Sequence, residues 1–345
     1  MRKTSRLAFV MTTALAAVTL AACSGGTAGG ADAGSDGGDV APTTMKLALN
    51  QTQTHPSFIA LEAFGERLTE ATDGRWNIEV FPDSQLGDQA EYLQSVGDGV
   101  IDLAIVSAPQ LENLNDDFVI FSLPTVFDSI EHQMSVLSDP AVVGDVYASL
   151  EDSNSITVVG GLTQGARSVY TKDGIAQTPE DLAGGKIRVQ ESPVFIGMIN
   201  ALGASPTPMA YSEVYTALQS GVIDGAENNE ISYSTQKHYE VAPFYSYTRH
   251  LIGADFLISN TDTLASMSEE DRAAFDEAWT ATWEQHTELW MADTEKAIAD
   301  ATAGGATFEE VDSDSFLDAL TPLLKEFITT DSQQTLFDAI KATAE

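Results

Sequence analysis

The chain has little cysteine and little positive charge, and each shortage excludes a class of protein. Cys23 is the only cysteine among 345 residues, so no disulfide can form within the chain. The 16 Lys and Arg residues face 52 Asp and Glu residues, which gives a formal net charge of -36 at pH 7. Because such an acidic surface repels nucleic acid and anionic lipid head groups, we expect neither as a partner.

Sequence signatures of metal and hydrolase chemistry are also missing. The five histidines lack the paired spacing of a metal site, and the chain contains no G-x-S-x-G motif. Carboxylates are so numerous that no pair stands out as a catalytic acid and base. We therefore expect no enzymatic activity, no metal and no cofactor. An exported hydrolase stays open on the residues alone, and turnover of candidate sugars would reveal it.

The first 42 residues are predicted to direct export and anchoring. Three basic residues precede an apolar run that is too short for a membrane span and typical of a secretory signal, which we place at residues 1–22. The run ends in Leu-Ala-Ala-Cys at Cys23, which resembles the bacterial lipobox, in which the cysteine is lipidated. A stray cysteine in an ordinary signal peptide is the alternative. Residues 23–42 are rich in Gly, Ala and Ser and predict a flexible tether. We expect an exported protein, anchored by lipid at the outer face of the cytoplasmic membrane.

The remaining chain alternates helix and strand signals and is long enough for two lobes of an α/β fold. A helix, a glycine and the strand GVIDLA at 99–104 recur as a helix, a glycine and GVIDGA at 221–226, with five of six residues shared. Because the copies are far apart in the chain, we expect one in each lobe. The predicted boundaries are 43–165 with about 254–290 for the first lobe and 166–253 with about 291–345 for the second.

Further elements are predicted from local signals. Ser268 starts a helix that continues to Ala303, roughly 50 Å at about 1.5 Å per residue, which is long enough to brace both lobes. Its tryptophans are assigned to core packing. SITVVGG at 155–161 and RSVYT at 167–171 predict two separate strands, and 314–328 predicts one amphipathic helix.

Basic residues are scarce where the inner faces of the lobes should form. Residues 76–236 contain four, and two of them, Arg167 and Arg188, begin or occupy predicted strands. Parallel α/β sheets bind ligands at the carboxyl ends of their strands. Two arginines on adjacent strands would suit a bidentate carboxylate. On the residues alone, an internal ion pair with an acidic residue is the favoured explanation of each arginine.

Five longer stretches, FPDSQLGDQAEYLQSVGDGVIDLAIVS, LPTVF, TPEDLAGGKIRVQESP, ALGASPTPMAYSEVYTALQSGVIDGAENN and KHYEV, add a resemblance. From Lys46 to about Ser259 the chain resembles the extracytoplasmic solute-binding protein of a TRAP transporter, the DctP type. The resemblance implies a two-lobed periplasmic-binding-protein-like α/β fold with a long helix bracing both lobes. It also implies that a small organic acid is captured between the lobes and delivered to the membrane subunits of a TRAP transporter. We also expect a monomer.

The resemblance implies the residues of the site as well. Arg188, in the KIRV strand, would form the salt bridge with the ligand carboxylate, and Tyr211 would lie over the ligand. The other expected site residues, which would support the carboxylate or meet ligand hydroxyl groups from either lobe, are Arg167, Asn228, Asn50, Ser107, Glu191, Asn229, Gln190 and Tyr233.

The stretches GARSVYT, RVQESP and GAENNEISYSTQKHYEV are more like TRAP proteins that bind sugar acids, especially hexuronates. A dicarboxylate would need a second cationic end, and Ser107 and Gln110 stand where sialic-acid binders carry extra charged groups. C4-dicarboxylates, aldonates, 2-oxo acids and aromatic acids stay open as ligands. A purely structural surface lipoprotein, which predicts no cleft and no small-molecule binding, is the remaining alternative.

Overall fold

The computed structural model describes residues 42–344, in which strands and helices alternate along the chain. The predicted signal peptide, Cys23 and the tether up to residue 41 lie outside the described residues. The strands are β1 Thr43–Ala48, β2 Trp76–Phe81, β3 Leu103–Ser107, β4 Ile156–Thr171, β5 Lys186–Val189, β6 Ser205–Pro208, β7 Gly225–Asn228, β8 Phe244–Asn260 and β9 Thr307–Glu310. The α-helices are α1 Pro56–Ala71, α2 Gln89–Gly97, α3 Ala108–Glu112, α4 Ile130–Leu137, α5 Pro140–Ala148, α6 Glu151–Asn154, α7 Pro193–Ala201, α8 Val214–Ser220, α9 Glu230–Thr235, α10 Thr261–Ala265, α11 Glu269–Ala303, α12 Ser313–Leu320, α13 Pro322–Phe327 and α14 Asp331–Ala342. Short 3-10 helices cover Asp116–Ser122, Pro179–Leu182, Tyr211–Glu213 and His238–Glu240.

The strands form one sheet in the order β2-β1-β3-β8-β4-β7-β5-β6, and β9 pairs with β8. The first three strands are parallel to one another, and so are β7, β5 and β6. Between these two groups run β8 and β4, which pair antiparallel with each other over most of their length. The protein is therefore a two-lobed α/β fold, with one parallel group in each lobe and two long strands passing through both.

Each lobe packs aromatic side chains against its own strands. In the first lobe, the ring of Phe64 on α1 lies 5.1 Å from the ring of Phe275 on α11. In the second lobe, the ring of Tyr233 lies 4.8 Å from Tyr170 and 5.1 Å from Tyr245. All five side chains are buried. Edge-to-face and tilted packing of this kind favours a fixed arrangement of the surrounding helices.

The long helix predicted from Ser268 to Ala303 is confirmed as α11, and the Ser268 hydroxyl accepts the Asp271 N–H at its start. Two glycines of β4 let this helix approach the sheet. A Cβ at Gly160 would collide with the indole of Trp279, and one at Gly165 would collide with that of Trp290. These contacts are 11 residues apart in the helix, or about 16 Å. Trp290 also packs against α9 of the second lobe, so α11 braces both lobes.

The repeated hexapeptide builds the same local structure twice. Gly99 and Gly221 both take the left-handed conformation, with φ of 70° and 75°, and each precedes a parallel strand. The Asp102 carboxylate accepts the N–H of Lys46 at 2.8 Å, and the Asp224 carboxylate accepts the N–H of Lys186 at 2.9 Å. The two copies thus precede strands of the two different parallel groups of the sheet.

Two predicted elements were wrong in detail. The two strands expected at 155–161 and 167–171 are one strand, β4, whose register shifts three times, between Val158/Gly160, Thr163/Ala166 and Arg167/Val169. A bulge carries the strand past glycines that read as a break in the sequence. The single helix expected over 314–328 is split into α12 and α13 at Pro322, because proline lacks the N–H that a continuous helix needs.

Candidate functional site

A cavity lies between the two lobes, at the carboxyl ends of their parallel strands. The empty space inside it, open mouth included, is about 630 Å³. Most of its lining residues have polar side chains. The lining residues are Asn50, Gln51, Ser84, Asp88, Gln89, Ala90, Ser107, Gln110, Gln164, Arg167, Arg188, Gln190, Glu191, Met209, Ala210, Tyr211 and Asn228.

Arg188 is a buried cation in this cavity, with only 4% of its surface exposed. Its Nε and Nη2 donate to the carbonyl oxygen of Met209 at 3.1 and 2.8 Å. Among residues 42–344 no carboxylate lies within 4.0 Å of its guanidinium, and Nη1 donates to no protein acceptor. Burial lowers the pKa of Arg188 below its ordinary value, although nearby Glu227 offsets part of that effect. The protein therefore fixes the position of this side chain. It leaves one edge of the guanidinium, and its positive charge, without a partner among the described residues.

Arg167 is also buried, but its charge is matched. Its Nε and Nη2 donate to the two carboxylate oxygens of Glu227 at 2.6 and 2.7 Å, and its Nη1 donates to Gln164 Oε1 at 2.6 Å. Burial alone would lower the pKa of Arg167, yet the Glu227 carboxylate outweighs burial and raises it. Burial would raise the pKa of Glu227, but the Arg167 charge lowers it to about 2. The internal ion pair weighed in the sequence thus exists for Arg167.

The expectation that the two arginines lie on adjacent strands was wrong. Arg167 is on β4 and Arg188 on β5, and β7 lies between these strands. The intervening strand carries Glu227 and Asn228 into the space between the arginines. Local sequence does not reveal the order of strands in a sheet. β7 begins 36 residues after the end of β5, yet it lies between β5 and β4. The insertion explains why one arginine has an acidic partner close by.

Asn228 is oriented by its neighbour. Its Oδ1 accepts the backbone and side-chain N–H groups of Asn229 at 2.9 and 3.0 Å. This leaves the Asn228 Nδ2 without a protein acceptor among the described residues, at the wall of the cavity. Asn229 does not line the cavity. It caps α9 by accepting the Ser232 N–H at 2.7 Å, and so positions Asn228 from behind.

The cavity brings together most of the other side chains that the sequence assigned to the site. Tyr211 lines it with its ring 6.0 Å from the Arg188 guanidinium carbon, and its hydroxyl donates to Ser232 O at 3.3 Å. Tyr233 does not reach it, since its hydroxyl donates to Ala242 O inside the aromatic cluster of the second lobe. The remaining predicted residues that line the cavity are Asn50, Ser107, Gln190 and Glu191.

Sequence reasoning missed a set of neutral side chains on the cavity walls. Gln51 follows Asn50 directly after β1, and Gln89 starts α2 after β2. Gln164 joins the two lobes: its Nε2 donates to Ser107 Oγ at 3.1 Å and to Asp255, and its Oε1 accepts from Arg167. Their position after predicted strands could have identified these residues, because loops leaving parallel strands form the cleft in such sheets.

The site offers one unmatched cation and many hydrogen-bonding groups. That combination suits an anion with several hydroxyl groups, and the side chains present could hold it without a covalent step. Residues 42–344 contain no cluster of three or more His, Cys, Asp or Glu that could hold a metal ion. Within the same residues, no helix has both the length and the apolar character needed to cross a membrane.

Fold and cavity together define an α/β binding protein with its ligand site between two lobes. Residues 47–331 match the family model DctP, bacterial extracellular solute-binding protein, family 7. The chain belongs to this family. It is 35% identical over 282 residues to the uncharacterized protein YiiZ of Salmonella typhimurium, covering 81% of this chain and 86% of that one.

Solved structures show the same fold with ligands bound. A TRAP periplasmic solute-binding protein from Anaerococcus prevotii, with bound α/β-D-glucuronate, is 39% identical with a TM-score of 0.84, and the match covers 87% of this chain and 98% of that one. Another from Xanthobacter autotrophicus, with bound β-D-galacturonate, is 30% identical with a TM-score of 0.82, covering 86% and 99%.

Proposed function

We propose that this protein binds a hexuronate in the cavity between its lobes and delivers it to the membrane subunits of a TRAP transporter. The observation that carries the proposal is Arg188, a buried guanidinium with no carboxylate partner among the described residues. A buried charge without a partner is costly, so a ligand carboxylate is the group it lacks. The glucuronate and galacturonate bound to the two similar structures support the same ligand class.

In this proposal different residues of the cavity contact different parts of the ligand. Arg188 pairs with the carboxylate, Asn228 Nδ2 donates to it, and Tyr211 packs over the sugar. Arg167 offers hydrogen-bond donors but little net charge, because Glu227 neutralises it. A single unmatched cation favours a monoanion over a C4-dicarboxylate, which remains the alternative ligand class. The residues proposed to meet hydroxyl groups are Asn50, Ser107, Gln190 and Glu191.

We propose that the lobes close over the acid, since a ligand gripped by both lobes stabilises the closed state through its differential affinity. The proposed boundaries remain 43–165 with about 254–290, and 166–253 with about 291–345. We also propose lipid anchoring through Cys23 at the outer face of the cytoplasmic membrane, a monomeric state, and binding without turnover of the ligand.

Calorimetry with wild type, Arg188→Lys and Arg188→Ala tests the proposal against glucuronate, galacturonate, gluconate, succinate, pyruvate, sialic acid and glucose. We expect at least one hexuronate to bind the wild type and glucose not to bind, because glucose leaves Arg188 unpaired. Arg188→Lys should lose about tenfold in affinity, since it keeps the charge but not the planar fork, and Arg188→Ala should lose about a hundredfold or more.

Each other outcome has a definite meaning. Both ligand-free variants should melt near the wild type, so an unfolded Arg188→Ala would show that this arginine serves the fold. Succinate as the tightest ligand would overturn the hexuronate assignment. Chemical change of a bound sugar on incubation would overturn binding without turnover.

A further inference from the structure

Gln110 lies on the first-lobe wall of the cavity, and no protein group within residues 42–344 bonds to its side-chain amide. It belongs to α3, directly after β3, and lines the cavity with only 9% of its surface exposed. Its Oε1 and Nε2 are not enclosed by protein, in contrast to the Oε1 atoms of Gln51 and Gln133, which are buried without a donor. The amide of Gln110 is therefore open to a molecule in the cavity.

The backbone around Gln110 is held in place, although its amide is not. The Ser107 N–H, just before α3, donates to Gln89 Oε1 at 3.0 Å. The Glu112 carboxyl group, at the end of α3, accepts the Ser192 hydroxyl of the second lobe at 2.6 Å. The fold thus fixes where Gln110 stands and leaves its hydrogen-bonding groups for another molecule.

A side-chain amide presents an acceptor oxygen beside a donor nitrogen, so its full complement is a donor and an acceptor at neighbouring atoms. Two hydroxyl groups on neighbouring carbons of a sugar supply that pair. We propose that Gln110 is a specificity-determining residue: its Oε1 accepts from one ligand hydroxyl group while its Nε2 donates to the next. This inference rests on the proposed function, in that the acid carboxylate lies at Arg188 and the hydroxyl groups face the first lobe.

The selectivity follows from the cost of an empty partner. A site built to hydrogen-bond a hydroxyl group rejects the analogue that lacks it, because the protein group then stays unpaired and away from water. A methionine at position 110 removes the amide at similar size. It should therefore lower the affinity for the hydroxylated acid and leave the affinity for either deoxy acid almost unchanged.

The stability of the ligand-free protein separates this role from a structural one. Because the Gln110 amide bonds to no described residue, Gln110→Met should melt no lower than the wild type. Gln133 provides the matched control. It is fully buried and does not line the cavity, and its Nε2 donates to Gly253 O at 2.9 Å. Gln133→Met should therefore melt at a lower temperature but keep the wild-type order of ligand affinities.

The experiment is calorimetry of wild type, Gln110→Met, Gln110→Leu and Gln133→Met with glucuronate and each of its monodeoxy derivatives. The wild type should bind glucuronate about tenfold more tightly than two derivatives, which lack hydroxyl groups on neighbouring carbons. In Gln110→Met these two ratios should approach 1 while the others persist, and Gln133→Met should keep all of them. Gln110→Leu, which also removes the amide, gives the same comparison if the methionine variant does not fold.

Several results would overturn the role of Gln110. These are equal loss of affinity for every ligand, unchanged ratios in both Gln110 variants, or removal of a single ratio, which would contradict the pair of hydroxyl groups. If the wild type binds gluconate or another hydroxylated acid but no hexuronate, the ratios with that acid and its deoxy forms still decide the role of Gln110. The hexuronate assignment then falls alone. Absence of binding by any hydroxylated acid would overturn both.

Discussion

The two walls of the cavity differ in the kind of group they present. Among the described residues, both basic side chains that line the cavity, Arg167 and Arg188, lie on β4 and β5 where the sheet forms the second lobe. The first-lobe wall presents mainly amides and hydroxyl groups, such as Gln51, Gln89 and Ser107. Charge gives attraction that is insensitive to the rest of the ligand, whereas buried neutral groups distinguish one pattern of hydroxyl groups from another. Within the proposed function, the second lobe supplies affinity and the first supplies selection.

The largest effect on the difference between the two walls is expected when Glu227 is replaced by glutamine. Arg167 would then be a second buried cation without a carboxylate, and the free energy of unfolding should fall by about 3 kcal/mol. The extra net charge should also raise the affinity for a dianionic aldarate relative to the uronate by about tenfold. Denaturant unfolding and competition calorimetry measure the two effects.

The exposed ion pair between Arg249 and Glu310 provides the control, since 69% of the Glu310 side chain is exposed. Glu310→Gln should cost less than about 1 kcal/mol and leave selectivity unchanged. Equal costs for the two glutamine variants would show that the buried pair contributes no more than a surface pair.

A second effect concerns Glu112, a buried carboxyl group with hydrogen-bond partners in both lobes. It lies on α3 of the first lobe, and its oxygens accept hydrogen bonds from Ser122 at 2.5 Å and from Ser192, the cap of α7 in the second lobe, at 2.6 Å. Burial raises its pKa to about 7 from 4.5. Because the folded pKa is the higher one, its contribution to stability is fully present below pH 4.5 and is lost as pH rises through about 7.

Stability should therefore decline from pH 4.5 to 8 by up to about 3 kcal/mol from this group, at 1.36 kcal/mol per pH unit. Glu112→Gln should remove that part of the slope and be more stable than the wild type at pH 8. Thermal or denaturant unfolding across this range gives the comparison. Parallel pH profiles for the two proteins would show that Glu112 titrates near its unfolded pKa in the native state.

The smallest effect is expected at the mouth of the cavity. Ser212 of the second lobe donates to Asp88 Oδ1 of the first at 2.8 Å. Because this bond is exposed, Ser212→Ala should weaken ligand binding by less than about fivefold, mainly through faster dissociation. Stopped-flow measurement checks it, with Ser220→Ala as control, since the Ser220 hydroxyl bonds within its own helix. Faster association without faster dissociation would contradict a contact made in the closed state.

Local patterns were sufficient for much of the fold. The cap at Ser268 and the absence of a break predicted α11, and the repeated hexapeptide predicted equivalent units in the two lobes. The continuity of β4 was not predictable in this way, because Gly160 lies near the end of the first predicted strand and Gly165 lies between the two predicted strands. Only the tertiary packing of Trp279 and Trp290 against them shows why glycine is needed in an unbroken strand.

The residues of the site also fall into two groups, those that the sequence could identify and those that it could not. Arginine is scarce in this acidic chain, so Arg188 stood out, and the resemblance supplied its role. Glutamine has no comparable local signature, and Gln51 and Gln164 became visible only when folding placed them at the cavity. Glu227 was one acid among 52 until β7 placed it between the arginines.

The passage of β4 and β8 through both lobes also determines how the lobes are mechanically connected. If two separate loops joined the lobes, they would act as flexible linkers. The lobes could then adopt many relative orientations at little energetic cost. Here the connection is a ladder of backbone hydrogen bonds that continues from one lobe into the other, with three register shifts, two of them on either side of Arg167. Such a strand pair bends elastically and returns to one geometry. In the proposed opening, bending would fall at the register shifts next to Arg167, beside the residues that line the cavity.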